Sequence, residues 1–195
     1  MKVIGITGGV GSGKSQVLEY LREQYGVLVI QADLVGHEVM EPGEKAYGQV
    51  LEAFGDGILD RDGRIDRKKL GGIVFSCQER LPALNAIIHP AVKEEILKRL
   101  EAARKEGRTY AAVEAALFLE EKYDAFCDET WYIDTDEDVR RRRLKESRGY
   151  TDERIDQILR AQKSREEFLA RCQAVVENNG TVEELKDRID KRMRR

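Results

Sequence analysis

The stretch GGVGSGKS, from Gly8 to Ser15, decides the fold of this chain. It satisfies the pattern GxxxxGK[S/T], in which glycines let successive backbone N–H groups curl around a phosphate and the following helix points its positive end at the same anion. The run Lys2–Thr7 before it has the composition of a buried strand, and Ser15–Tyr25 after it carries apolar residues at helical spacing. The order of strand, glycine-rich turn and helix predicts a phosphate-binding loop (P-loop) for a nucleoside triphosphate.

Two side chains of the motif carry its chemistry. Lys14 brings a mobile positive charge to the β- and γ-phosphates, and the hydroxyl of Ser15 is a ligand for Mg²⁺. The alternative, a glycine-rich turn that binds nothing, is less favoured because the motif follows a predicted strand and opens a predicted helix.

Apolar runs alternate with helical patterns over the rest of the chain. Further strands are predicted at 27–30, 110–116, 130–133 and 174–176, and a helix at Pro90–Glu106 that is opened by its proline. Strands joined through helices form parallel sheets with right-handed crossovers. The chain is therefore predicted to be an α/β protein with a three-layer P-loop NTPase fold, a parallel sheet flanked by helices.

The length of 195 residues favours a single domain that spans residues 1–195. Within it, residues 42–90 are glycine-rich with two short helical patterns, and we interpret them as a helical insertion on the substrate side. Residues 140–171 form charged helices with a break at Gly149, and we interpret them as a lid region.

Composition excludes several classes of function. The net charge of −3 provides no basic field for nucleic acid. The longest apolar stretch, Ala111–Leu119, contains a glutamate and is far shorter than the roughly 18 residues of a membrane span. Three scattered cysteines indicate reduced thiols. We therefore expect a cytoplasmic protein, a monomer or a small homo-oligomer, that binds neither nucleic acid nor a membrane.

Asp33 is the carboxylate best suited to catalysis. It follows the second predicted strand, at the edge of the sheet where ligands bind, and can accept the proton of an attacking hydroxyl or hold Mg²⁺ through water. The alternative is that Asp33 only caps the helix Leu34–Met40.

Residues 33–36, DLVG, also match the DxxG motif of GTPases. The sequence has no NKxD motif, however, so a GTPase-like switch is disfavoured.

Five motifs follow one another along the chain: IGITGGVGSGKS from Ile4, ADLVGHEVMEPG from Ala32, IIHPAV from Ile87, ALFLE from Ala116 and VVENNGTVEEL from Val175. Together they resemble the dephospho-coenzyme A kinase family, and the resemblance runs from end to end in the family's order. It implies that ATP and Mg²⁺ are used to phosphorylate the ribose 3′-hydroxyl of dephospho-coenzyme A, a small-molecule substrate, in the last step of coenzyme A synthesis. Another small-molecule or nucleotide P-loop kinase is the alternative.

The resemblance also implies roles for individual residues. Asp33 becomes the base toward the 3′-hydroxyl, and Lys14 and Arg148 become the cations that neutralise the transferring phosphoryl group. His89 and Glu120 lie on the substrate side. The metal is expected on Ser15, and the nucleotide on Gly8, Gly9, Gly11, Ser12, Gly13, Lys14, Ser15, Gln16 and, near the base, Asn178.

Three positions depart from the family pattern and leave secondary ligand roles open. Gln31, Ala116 and Gln173 stand where the family usually has an aspartate, a proline and an aspartate. Glu114, inside a buried-type strand, is a candidate Mg²⁺ contact, because a buried charge is costly unless it has a partner. Most of the run Arg140–Arg143 is expected to be solvated or paired with nearby acidic residues.

Overall fold

The computed structural model describes residues 1–77 and 79–194, and the strands in this part of the chain form one sheet. The strands are β1 Lys2–Thr7, β2 Leu28–Gln31, β3 Tyr110–Glu114, β4 Glu129–Asp134 and β5 Ala174–Glu177. Their order is β2-β3-β1-β4-β5, and β1 pairs in parallel with both β3 and β4, as β4 does with β5. The predicted α/β fold with a parallel sheet flanked by helices is confirmed.

The helices alternate with these strands, as the patterning predicts. Gly26 takes the left-handed conformation that ends the first helix, and capping boxes at Ser164 and Thr181 open the last two. The helices are α1 Lys14–Tyr25, α2 Ala32–Glu38, α3 Lys45–Phe54, α4 Arg67–Ser76, α5 Arg80–Lys105, α6 Glu137–Arg148, α7 Asp152–Arg160, α8 Arg165–Arg171 and α9 Val182–Met193.

Helix α5 differs from the prediction. It begins at Arg80 and passes through Pro90, where the sequence pattern placed its start. A proline inside a helix costs about 3 kcal/mol because it removes a backbone hydrogen bond. Leu84 and Val92, on either side of this proline, are both buried. Packing of the apolar face on both sides outweighs the local cost and keeps the helix continuous.

The chain divides into two compact units, each with its own hydrophobic core. The first comprises Met1–Ile30 and Ala103–Arg195, and the second comprises Gln31–Ala102. In the first, side chains of β1 and β4 pack against α1 and α9, which fixes the strand and the helix on either side of the P-loop. The core of the second is built from Val50, Ile58, Leu70, Val74 and Leu84. Every helix in the described ranges is too short or too polar to traverse a bilayer.

Candidate active site

The P-loop between β1 and α1 has a backbone that only glycine adopts easily. Gly8, Gly11 and Gly13 have φ angles of 150°, 81° and 91°. A Cβ on Gly8 would lie 2.7 Å from the carbonyl oxygen of Ile133, and a Cβ on Gly13 would lie 2.2 Å from Asn178 Nδ2. Conformation and space therefore both require glycine at these two positions.

Replacing Gly13 with alanine should lower the free energy of unfolding by about 2–3 kcal/mol, because the left-handed backbone is strained and the Asn178 amide must move. Gly26→Ala is the matched control, since Gly26 has a φ of 61° with no atom within 4 Å of an added Cβ, and about 1 kcal/mol is expected there. Urea unfolding of both variants measures the difference. If both variants lost the same free energy of unfolding, the Asn178 side chain would have to move aside at no cost.

Lys14 opens α1 at the end of the P-loop. Its Nζ donates to the carbonyl oxygen of Gly8 at 2.8 Å and lies 3.8 Å from Glu114 Oε1. Glu114 is the last residue of β3 and is 8% exposed. The parallel register pairs it with Ile6 of β1, so it reaches the loop at the carboxyl ends of the two strands. A lysine and a buried carboxylate thus lie together beside the P-loop.

The second half of the P-loop is supported by residues that follow β4 and β5. The carbonyl oxygen of Ser12 accepts hydrogen bonds from Asn178 Nδ2 at 2.8 Å and from Thr135 Oγ1 at 3.0 Å. The Ser12 hydroxyl is buried, and no residue of the described ranges hydrogen-bonds to it. Since a buried hydroxyl without a partner costs about 1–3 kcal/mol, this site favours a ligand that supplies one. The expected contact of Asn178 with the ATP base stays a prediction.

Two arginines one turn apart on α6 lie against this loop. Arg140 Nε donates to the carbonyl oxygen of Val10 at 2.9 Å, and Arg143 Nη2 donates to Asn178 Oδ1 at 3.4 Å. Burial lowers the pKa of both guanidinium groups. Neither pairs with a carboxylate in the described part of the chain, and Arg143 Nη1 is buried without a partner there. The two cations therefore bring positive charge to the P-loop, offset at Arg140 only by the more distant carboxylates of Glu137 and Asp134.

The arginine run and the lid arginine differ in part from the sequence expectation. Arg141 pairs with Glu137 of its own helix, as predicted. The expectation applies to most of the run, and Arg140 and Arg143 depart from it, because patterning alone does not show which side of α6 faces the loop. Arg148 ends α6, is exposed, and lies with its guanidinium 5.9 Å from the ring centre of Tyr150. Its contact with phosphate stays a prediction.

Gln162 is a site residue that the sequence reasoning missed. Its Oε1 accepts hydrogen bonds from Arg140 Nη2 at 2.5 Å and from the Val10 N–H at 3.3 Å. The residue lies between α7 and α8, far from the P-loop in sequence, and it carries no motif. Only the tertiary structure brings it to the loop.

The remaining predicted site residues are Asp33, His89 and Glu120. Asp33 belongs to the second unit, where it is exposed in the first turn of α2, and the N-cap of α2 is Gln31, so the capping alternative for Asp33 is wrong. His89 is partly buried within α5. In the first unit, Glu120 is exposed, with an oxygen 3.5 Å from Lys163 Nζ. The catalytic and substrate roles of Asp33, His89 and Glu120 stay predictions.

A family model and two similar proteins name the same family. A family model described as dephospho-CoA kinase matches residues 2–184. The dephospho-CoA kinase of Geobacillus kaustophilus is 42% identical over 183 residues, which cover 94% of this chain and 90% of that protein. The dephospho-CoA kinase of Geobacter sulfurreducens is 42% identical over 190 residues, which cover 97% of this chain and 96% of that protein. The crystal structure of TT1252 from Thermus thermophilus has a TM-score of 0.81 at 31% identity, covering 98% of this chain and 95% of that one.

Proposed function

The chain belongs to the dephospho-CoA kinase family, and on this premise we propose that it transfers the γ-phosphoryl group of ATP to the ribose 3′-hydroxyl of dephospho-coenzyme A, the final step of coenzyme A synthesis. The observation that carries the proposal is the family match over residues 2–184 of a chain whose P-loop is intact. The match supports the choice of the acceptor and of ATP, and the loop supports a nucleoside triphosphate as phosphoryl donor.

The P-loop fits a triphosphate in shape and charge. Its glycines with positive φ allow the backbone turns in which successive N–H groups can surround a phosphate, and the buried Ser12 hydroxyl has a hydrogen-bonding capacity that a phosphate oxygen can fill. Lys14 supplies a positive charge at the start of α1, and Arg140 and Arg143 supply two more. In-line phosphoryl transfer depends mainly on such positioning and charge neutralisation.

The residues beside Lys14 also fit Mg²⁺. Ser15 offers a hydroxyl in the first turn of α1, and Glu114 offers a buried carboxylate. Mg²⁺ prefers oxygen ligands and is usually held by one or two carboxylates together with substrate phosphates, so a larger cluster of protein ligands is not required. When bound, the ion neutralises charge on the β- and γ-phosphates. We propose Ser15 and Glu114 as the residues that hold it.

The acceptor side of the reaction is proposed from the family. Asp33 takes the proton of the 3′-hydroxyl as it attacks, and His89 and Glu120 contact the acceptor. Arg148, at the end of α6, covers the phosphates when the lid region closes and excludes water that would otherwise hydrolyse ATP. The exposed carboxylate of Asp33 is chemically suited to accept a proton.

Incubation of the purified protein with Mg²⁺, ATP and dephospho-coenzyme A tests the proposal, and we expect ADP to form in amounts equal to the 3′-phosphorylated product. ADP formation should fall to the background rate without the acceptor, and also when EDTA removes the metal. A nucleoside monophosphate serves as the alternative acceptor. Phosphorylation of that nucleotide, with none of dephospho-coenzyme A, would overturn the proposed substrate and leave the P-loop assignment standing.

The cysteines support a reducing compartment. Cys77, Cys127 and Cys172 are all free thiols. Burial raises the pKa of Cys127 to about 12 and that of Cys172 to about 11, so both stay protonated and poorly reactive at neutral pH. We accordingly propose the cytoplasm as the location, and a monomer or small homo-oligomer as the functional form.

A further inference from the structure

The backbone N–H and carbonyl oxygen of Val10 both form hydrogen bonds with side chains from elsewhere in the first unit. Its N–H donates to Gln162 Oε1 at 3.3 Å, and its carbonyl oxygen accepts from Arg140 Nε at 2.9 Å. Arg140 and Gln162 also bond to each other, Nη2 to Oε1, at 2.5 Å. Three hydrogen bonds therefore close a triangle that fixes Val10 in the P-loop.

Through Gln162, the triangle ties the P-loop to the region interpreted as a lid. Gln162 lies in the connection between α7 and α8, and 152 positions separate it from Val10. A Cβ on Gly9 would lie 2.3 Å from Arg140 Nη2, so the guanidinium packs directly on the loop backbone. The position of these loop residues depends on a side chain that belongs to the lid segment.

The partners of the Arg140 guanidinium distinguish it from the neighbouring cations. Its hydrogen bonds go to two neutral oxygens, those of Val10 and Gln162, and in the described ranges it forms no ion pair, the carboxylates of Glu137 and Asp134 acting on it only from farther away. Burial lowers the pKa of Arg140, and a desolvated charge acts more strongly on an anion than a solvated one. The neighbouring cations that do pair with carboxylates are Arg141 with Glu137, Lys163 with Glu120 and Arg165 with Asp134.

We propose that Gln162 is a positioning residue for ATP: it fixes Val10 and holds the Arg140 guanidinium with a neutral oxygen, which leaves the positive charge available to the polyphosphate of the nucleotide. The inference rests on the proposed function only in taking ATP as the nucleotide. A glutamate at position 162 could make the same two contacts, but its negative charge would cancel that of Arg140.

Gln162→Glu tests the proposal because it keeps the size and the acceptor oxygen while changing the charge. We expect the Kd for ATP, measured by calorimetry, to rise about tenfold, with a matching rise in the KM for ATP. The KM for dephospho-coenzyme A and the affinity for adenosine, which has no phosphate, should not change. The melting temperature should equal or exceed that of the parent protein, since the new carboxylate pairs with Arg140.

Gln157→Glu is the matched control, because it adds the same charge on the exposed surface of α7 and should leave ATP affinity unchanged. Gln162→Ala removes the acceptor altogether, and we expect a several-fold rise in the KM for ATP. An ATP affinity of Gln162→Glu within twofold of the parent protein would overturn the charge argument, and unchanged kinetics of Gln162→Ala would overturn the positioning role. Calorimetry needs no acceptor, so a wrong choice of acceptor would not affect either result.

Discussion

Replacing Lys14 with alanine is expected to lower kcat/KM for ATP about 10³-fold. Its Nζ is the cation that the P-loop itself supplies, bonded to the Gly8 carbonyl oxygen at 2.8 Å and 3.8 Å from Glu114 Oε1. A fixed positive charge that meets the transferring phosphoryl group commonly accounts for a rate factor of this size. Steady-state ADP formation with saturating dephospho-coenzyme A measures the effect, and calorimetry gives the accompanying loss of ATP affinity.

The substitution also removes a positive charge from beside the buried Glu114, so a loss of stability could be mistaken for a loss of catalysis. Glu114→Gln in the Lys14→Ala background removes the negative charge as well and should restore much of the melting temperature without restoring activity. Lys191→Ala, on the exposed end of α9, controls for the loss of one lysine and should leave the rate unchanged. A Lys14→Ala enzyme with activity within threefold of the parent protein would contradict the assignment of the P-loop.

The parts of the fold and site that the sequence predicted are those specified by short segments. The P-loop and Lys2–Thr7 as β1 both depend on residues a few positions apart, and both are found where expected. The approach of Glu114 to Lys14 follows from the same logic, since parallel neighbouring strands bring their carboxyl ends to one edge of the sheet.

The parts that it missed depend on tertiary packing. The start of α5 at Arg80 reflects apolar burial on both sides of Pro90, which outweighs the local preference of proline for a helix start. The burial of Arg140 depends on which side of α6 meets the P-loop, and four consecutive arginines give no periodic signal to decide it. Gln162 has neither a motif nor a charge, and its contact with Val10 spans most of the chain.

Replacing Asp33 with asparagine is expected to lower kcat by about 10²- to 10⁴-fold, the usual contribution of a general base, while ATP still binds with the affinity of the parent protein. The change keeps the shape of the side chain but removes its negative charge and its ability to take a proton. Asp33 is exposed in the first turn of α2, and the N-cap of this helix is Gln31, so the fold should tolerate the substitution. Single-turnover transfer to dephospho-coenzyme A measures the chemical step directly.

Glu183→Gln is the matched control, because it also changes an exposed carboxylate in the first turn of a helix, α9, into an amide. Like Asp33→Asn, this substitution removes a small favourable interaction between a carboxylate and the helix dipole, and it should leave kcat unchanged. If Asp33→Asn lost ATP affinity together with activity, Asp33 would act on the nucleotide or its metal and not as the base. If the variant kept more than about a tenth of the parent kcat, proton transfer to Asp33 would contribute too little to the barrier to be the catalytic step that the family resemblance implies.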